Sequence, residues 1–534
     1  MKSLARASAV MTLGTVLSRV TGLARLAAIA AALGVAESRL PDAYNLANTA
    51  PNIVYELILG GILTSVFVPV FVELLQKEGR EKAWEVGSAI INISMVVLLG
   101  ITALGMLAAP LIAKFYALTL EGNEAVMQER VLTFLLRLFL PQIIFYGLAA
   151  ITAGLLNAHK RFGAPMYTPV LNNLSVIAIF IAFHQAYGEN VSLDTISSKQ
   201  LWIIGVGTTA GVAMMALAQL PFLRSLGRYR FTFSVAHPSI KKLARLSVFV
   251  IGYVIANQIG YLIVQVLATD QQGGYSAYIN AFTFFLLPHG LFAVSVITAL
   301  LPGMSEHAVH ARWAEFRDQL STGIRSTFLL ILPAAIGYFV LSERIVRLLL
   351  ERGVMSPEST HLVGGVLRLF VIGLVPFSLF QLFLRAFYAM QDTKTPFLIN
   401  CAAVALNIAV NLPLYHYFGV EGLAAGHALA YTFGAAVQAR VLARRIGGID
   451  GPRLRASFAR IGGASIGMGG VTWLVAELCE RGFDGTATLD QLIGLGAPVI
   501  AGVISYLAFA RMLGVRELAL VTGLVSRRSK GGDV

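Results

Sequence analysis

Arginine is costly in the middle of a membrane-spanning helix, and this chain places two within its first apolar stretch. Arg19 stands about 11 residues into the stretch 8–33, and Arg25 about two thirds of the way along it. On insertion scales each costs about 2.5–3.5 kcal/mol at mid-membrane, so such residues mark function by default. Ser18, Gly22 and Arg25 fall at i, i+4 and i+7 and share one helical face. Arg19 lies about 100° from Ser18, and Gly22 permits a bend that would align the two guanidinium groups. A guanidinium matches phosphate oxygens bidentately. The chemistry expected is a cationic cavity wall that binds an anionic head group. The plainer alternative is that each arginine snorkels, or pairs with a carboxylate such as Asp42 or Glu56.

The second apolar stretch carries the next polar set. Asp42 follows Pro41 and is expected to cap the helix while placing a charge at the cavity mouth. Pro51 removes one helix hydrogen bond; Asn52 can satisfy freed backbone groups or touch substrate. Gly60 and Gly61 allow bending or close helix approach. Arg137, Arg368 and Arg385 also fall inside expected spans, Arg385 within one to two turns of the loop QDTKTP. It either snorkels to that interface or joins the cavity. Asp392, Thr393 and Lys394 in that loop either gate or begin the next helix before Pro396. His289, after Pro288, reads as a hydrogen-bonded core residue. No Walker loop, zinc motif, G-x-S-x-G or pair of carboxylates at helical spacing within one span occurs. Cys401 and Cys479 match no metal spacing.

The elements that hold these residues are hydrophobic helices. Of 534 residues, 57% are hydrophobic and 13% charged, with mean hydropathy +0.73. That charged fraction is about half that of a soluble domain. Apolar stretches of about 20 residues recur throughout, and each can cross a core of about 30 Å. The fold expected is an all-α integral membrane protein of about 14 spans. The interruption by Arg19 and Arg25 argues that the first helix is retained and is not a signal peptide. The net charge of +13 is topological and indicates no nucleic-acid partner. With both termini inside, roughly 27 Lys and Arg face the cytoplasm against about 8 outside. The richest clusters run from Arg224 to Arg245, Arg440 to Arg455 and Arg511 to Lys530.

A weak internal repeat adds organisation. The segment from Asp42 to Pro69 resembles that from Ser276 to Pro302, and LLNAHKRFGAP from Leu155 resembles AFYAMQDTKTP from Ala386. Both offsets are about 230 residues, six spans, so the repeats are parallel. The expected domains are two six-helix lobes, 1–230 and 231–450, an added helix pair at 451–515, and a cytoplasmic tail at 516–534.

The segments SRVTGLAR at 18–25, DAYNLANTAPNIVYELILGGILTSVFVPVF at 42–71, LLNAHKRFGAPMYTPVLNN at 155–173, the run AVSVITALLP ending at Pro302 and FYAMQDTKTP at 387–396 resemble the MurJ (MviN) lipid II flippase family. The likeness runs in order over nearly the whole chain, and the second segment looks most like the actinobacterial branch. The resemblance implies the fold of a wider exporter group, MATE-like, with two six-helix lobes and two added helices. It implies a substrate, undecaprenyl-pyrophosphate carrying the disaccharide-pentapeptide of peptidoglycan. It implies a cationic central cavity, a groove for the lipid tail, and transport from the cytoplasmic to the outer leaflet of the bacterial inner membrane. Alternating access would run without ATP or cofactor, with the membrane potential and a coupling cation (Na+ or H+) as energy sources. Other cell-wall synthesis proteins would be partners. Arg19, Arg25, Asp42 and Asn52 stand where the family's motif has important polar residues, and Ser18, on the Arg25 face, is expected to join them at the substrate.

The sequence departs from the family at several points. Tyr55 and Thr283 stand where many members have cavity arginines, Gly60 where many have an acidic residue, and Leu26 where an aspartate often follows the second arginine. The cavity should therefore be less cationic, with Tyr55, Thr283 and Arg385 as substituting substrate contacts. Gly22, Pro51, Gly60, Gly61 and Asp392 are the expected hinge and gate positions. Two further readings remain: export of another polyprenyl-linked saccharide or a small cation, and a cell-wall scaffold without transport activity.

Overall fold

The protein is described by a computed structural model that covers residues 2–56, 68–159, 161–188, 191–224, 226, 229–233, 238–482 and 488–518. Among the described residues every regular element is helical, as expected where the bilayer leaves no partner for open backbone groups. In chain order they are α1 (Lys2–Leu33), α2 (Leu40–Glu56), α3 (Val68–Lys77), α4 (Gly79–Tyr116), α5 (Gly122–Phe139), α6 (Gln142–Ala158), α7 (Gly163–Tyr187), α8 (Ser198–Leu217), α9 (Pro238–Asp270) and α10 (Gly274–Pro288). After a π-helical turn (His289–Ala293) come α11 (Val294–Val309), α12 (Trp313–Leu350), α13 (Pro357–Ile372), α14 (Leu374–Ala389), α15 (Lys394–Ile446), α16 (Gly451–Gly482) and α17 (Thr488–Met512).

Eleven helices among the described residues are long and apolar enough to cross a membrane, and α13 with α14, bent by 48°, makes a twelfth. The expected count of 14 is not reached from these residues. Two causes are visible. Helix α15 is continuous through two expected spans, 396–416 and 422–443, but Gly419 inside it is non-helical at φ 57°, ψ −143°. A side chain would be strained there, so the helix turns back on itself where only glycine fits. The expected span 42–75 contains residues 57–67, which lie outside the described set together with Gly60 and Gly61.

The chain forms two compact units. The first holds Met1–Ser276 and Leu350–Ser359; the second holds Ala277–Leu349 and Thr360–Val534. In the first, α1 lies along α7, α7 along α8, and α2 against α5 and α6. Its core is aromatic: the buried Tyr44 ring meets Phe139 and Phe180 edge-on, at 5.5 and 5.2 Å between centroids. In the second, α14 packs on α15 and α11, with Phe316, Phe380, Phe383 and Phe387 in one buried cluster. The α16–α17 hairpin packs against α12 through Leu329, Ile461, Ala464 and Ala510. Arg325 of α12 pairs there with Glu517 at 3.1 Å, both nearly buried, and Ser457 donates to the same carboxylate at 2.9 Å.

Candidate functional site: an arginine-bearing helix and its latch

Helix α1 is one continuous helix through Gly22. Its packed face is set by small and polar residues. A side chain at Gly14 would meet Met166 and Tyr167 of α7, and a Cβ at Gly22 would lie 3.8 Å from the Asn173 amide nitrogen. Asn173 donates to Thr21 Oγ1 at 3.0 Å and to the Ser18 carbonyl at 3.3 Å. Leu13, Val16, Leu17 and Val20 form the exposed apolar face. Arg25 sits on the packed side, half-buried, with the Tyr44 and Tyr146 hydroxyls within reach of its charge. Tyr44 in turn shares a hydrogen bond with Thr208 at 2.9 Å. Arg19 lies on the flank between the two faces, exposed.

Neither arginine forms an ion pair among the described residues. The carboxylates that might have neutralised them are occupied elsewhere. Asp42 is fully buried, at 0% exposure. It accepts hydrogen bonds from Gly273 N (2.8 Å), Ser276 N (2.8 Å) and Ser276 Oγ (2.7 Å). Glu56 accepts from Gln258 Nε2 at 2.9 Å. Helix α2 already starts at Leu40, so Asp42 is inside its first turn and does not cap it, a correction to the sequence reading. The reason is Pro41, whose fixed φ suits the first turn and starts the helix earlier, with Ser38 Oγ accepting from Leu40 N at 3.2 Å.

Asp42 belongs to a polar seam along α2. Asn45 donates to Ser276 Oγ at 2.9 Å, and Thr49 Oγ1 shares a hydrogen bond of 2.8 Å with the Tyr275 hydroxyl, which also meets Tyr261 and Gln265. The two copies of the internal repeat thus touch at their first residues, Asp42 and Ser276. Three short turns join the seam. Gln272 Nε2 donates to Ala36 O at 2.8 Å. Glu37 accepts from Ser356 N (2.6 Å), Ser359 Oγ (2.7 Å) and Val35 N (2.5 Å). Val354 N donates to Ala31 O at 2.9 Å. Arg39 donates to the carbonyls of Thr269 and Asp270 at 2.8 and 3.1 Å and pairs with Glu124 at 3.0 Å. Gly273, at φ +72°, would set a Cβ 2.4 Å from both Ala36 Cα and Val35 O, so the close approach of these turns requires glycine. Burial pushes the Glu37 carboxyl up, but the hydrogen bonds from Ser356, Ser359 and Val35 outweigh this and hold it below the usual range.

Sequence reasoning missed Glu37, Arg39 and the seam partners. Asp42, Asn45 and Thr49 at i, i+3 and i+7 were the available signal, a polar stripe on one face of α2.

The remaining expected residues fall as follows. Asn52 donates to the Asn48 carbonyl at 2.7 Å, one residue beyond the Ala47 carbonyl that Pro51 frees. Tyr55 stacks on Tyr146 at 4.8 Å between centroids and joins a buried cluster with Ala149, Val212 and Met215. Within the second unit, Thr283 donates to its own helix at Ile279 O, 2.9 Å. Arg385 is exposed, its guanidinium 5.9 Å from the Tyr388 ring. Asp392 accepts from Thr395 N at 2.9 Å and pairs with Arg445, which starts α15 and ties its two ends. Arg137 is exposed, Arg368 pairs with Glu343 at 2.8 Å, and His289 shares a 3.0 Å hydrogen bond with Ser378. Among the described residues no group of three His, Cys, Asp or Glu could hold a metal ion.

Comparison with known proteins places this geometry. A family model described as lipid II flippase MurJ matches residues 29–490. The chain is 29% identical over 529 residues to a probable lipid II flippase MurJ of Rhizobium meliloti (strain 1021), spanning 97% of this chain and 95% of that one. It is 28% identical over 519 residues to the lipid II flippase MurJ of Burkholderia cenocepacia, spanning 94% and 96%. Among solved structures it is similar to a lipid II flippase MurJ in an inward closed conformation, with TM-score 0.76, 23% identity, and 95% and 99% of the two chains covered. It is also similar in fold to an inward-facing MATE family multidrug transporter, with TM-score 0.65, 13% identity and coverage of 80% and 94%.

Proposed function

We propose, from the premise that the chain belongs to the MurJ family of lipid II flippases, that Arg19 and Arg25 of α1 take the pyrophosphate of lipid II. Membership makes the chain a multi-pass membrane transporter and not an enzyme. The observation that carries the site is the absence of any ion pair to either arginine among the described residues, while Asp42 and Glu56 are engaged elsewhere. A guanidinium without a carboxylate keeps its donors for a phosphate. The Tyr44 hydroxyl, held by Thr208 at 2.9 Å, lies near Arg25 and does not neutralise it.

The head group carries charge and sugars that about 30 Å of hydrocarbon excludes. Fixed cations beside it replace part of its lost hydration. In the proposed orientation both termini are cytoplasmic, following the bias of basic loops. The turns tied by Asp42, Glu37 and Arg39 then lie at the outer surface. Their hydrogen bonds tie these turns together, and in this reading release of the head group to the outer leaflet requires that they part. The two states differ in affinity for the pyrophosphate, which is what a carrier needs in order to be shifted by its substrate. An inside-negative membrane potential favours outward movement of an anion by about 2.3 kcal/mol per charge per 100 mV, so the potential, with or without a coupling cation such as Na+ or H+, supplies the drive.

Reconstitution tests the assignment. Proteoliposomes containing the chain should expose fluorescent lipid II to an impermeant reagent faster than empty vesicles, and Arg25→Ala at equal protein content should lower that rate at least about tenfold, the equivalent of about 1.4 kcal/mol. Flipping by the variant at the parent rate would remove Arg25 from the site.

A further inference from the structure

We propose that residues 229–233 form an aromatic membrane anchor, a strap that pins the connection between the two expected six-helix repeats to the bilayer interface beside α4. The sequence there is Tyr-Arg-Phe-Thr-Phe, in the loop between α8 and α9.

The strap is fastened along the first turns of α4 by a specific set of bonds. Arg230 N donates to Ser88 Oγ at 3.1 Å. The Asn92 amide uses both ends, donating from Nδ2 to Thr232 O at 2.9 Å and accepting from the Tyr229 hydroxyl. Arg230 Nη2 meets Glu81 at 2.6 Å. Ser88 and Asn92 stand at i and i+4, so they present one face of α4.

Depth can be read from α4 itself. Arg80, Glu81, Lys82 and Glu85 are charged, and the next charge is Lys114. The intervening stretch, 86–113, is about 42 Å long at about 1.5 Å per residue. That equals the roughly 40–45 Å of a bilayer with its head-group layers. Centring a core of about 30 Å on this stretch puts its edge within a turn of Asn92. The exposed apolar face of α4 begins one turn later, at Val96, Val97 and Leu99, and continues through Leu104 and Leu107.

At that height the strap leaves its aromatic rings uncovered. Phe231 is 78% exposed, Tyr229 54% and Phe233 45%. The Phe231 and Phe233 rings meet edge to face at 5.1 Å, so they form one patch. Aromatic rings belong at the level of lipid head groups, where an apolar ring body meets acyl chains and polar groups stay wet. Arg230 turns the other way, toward Glu81 and the charged start of α4. The occupant is therefore the lipid interface itself, continuous with the lipid-facing side of α4.

Site-directed spin labelling in proteoliposomes tests this. Cys401→Ser and Cys479→Ser supply the background, and labels at Phe231→Cys and Phe233→Cys are compared with references at Leu104→Cys, an apolar exposed site in mid-span, and Glu121→Cys, in the exposed turn after α4. Collision rates with oxygen and with a water-soluble nickel chelate give depth. The strap labels should favour oxygen over nickel several-fold more than the Glu121 label, approaching the Leu104 value. A ratio equal to the Glu121 reference would place the strap in water, and labels reached by neither reagent would place it under protein; either result overturns the anchor. Phe233→Cys alone carries the test should Phe231→Cys fail to reconstitute.

Discussion

Arg25 keeps company with hydroxyls, Tyr44 and through it Thr208, while Arg19 has no hydrogen bond or ion pair to any described residue. That difference separates their expected phenotypes. Arg19→Ala should leave thermal stability within about 0.5 kcal/mol, as for exposed positions away from special features, yet slow flipping in reconstituted vesicles at least tenfold. A stability loss accompanying the activity loss would mean a structural role instead. Tyr55 shows the converse. It stands where many family members have an arginine, but it stacks on Tyr146 within a buried cluster. Tyr55→Arg should therefore destabilise the protein by about 1–3 kcal/mol in a thermal melt and not strengthen substrate binding. At this scale the sequence was informative wherever a charge broke an apolar run, which is how Arg19, Arg25 and Asp42 stood out. It was silent on Glu37 and Arg39, because charges in a short loop default to solvent and only the approach of distant turns gives them partners.

The latch is a property of elements: the turns α1–α2, α9–α10 and α12–α13 and the polar face of α2. Asp42→Asn should weaken it by about 1–3 kcal/mol, since an amide cannot accept all three donors and one buried group is left unpaired. Hydrogen exchange at residues 34–39 and 271–276 should speed accordingly. The Glu37 carboxyl, held below its ordinary range by hydrogen bonds that outweigh its burial, fixes the sign of a pH effect. Its contribution is fully present above the ordinary carboxylate pKa and is lost as pH falls through the lowered one. Protection factors at 34–39, corrected for the intrinsic pH dependence of exchange, should therefore be constant near neutrality and fall on acidification; protection that rises in acid would contradict this. The repeat at Asp42 and Ser276 was visible as sequence similarity. Its consequence, that the two copies hydrogen-bond to each other, was not, because similarity carries no information about contact.

For the whole molecule, composition and hydropathy were enough to indicate a helical membrane protein, since no other architecture satisfies the backbone over so many apolar stretches. The number of spans was harder. One non-helical glycine, Gly419, sits inside a single continuous helix, and the 48° bend between α13 and α14 sits inside a single expected span; local backbone geometry of that kind has no hydropathy signature. The added helices α16 and α17 are fastened to α12 by the Arg325–Glu517 pair and by the bond from Tyr506 to Leu329 O at 2.8 Å. Arg325→Ala would leave a buried carboxylate unpaired and should cost about 3–5 kcal/mol. Arg325→Met with Glu517→Leu should recover much of that in the same melt.

The account rests on α1 gripping a phosphate. Equilibrium binding of lipid II to the purified chain, followed by native mass spectrometry, tests this most directly when the parent is compared with the Arg19→Ala, Arg25→Ala double variant. At least a tenfold weaker affinity in the double variant, with unchanged thermal stability, is the expected result. Equal affinity in the two proteins would contradict it.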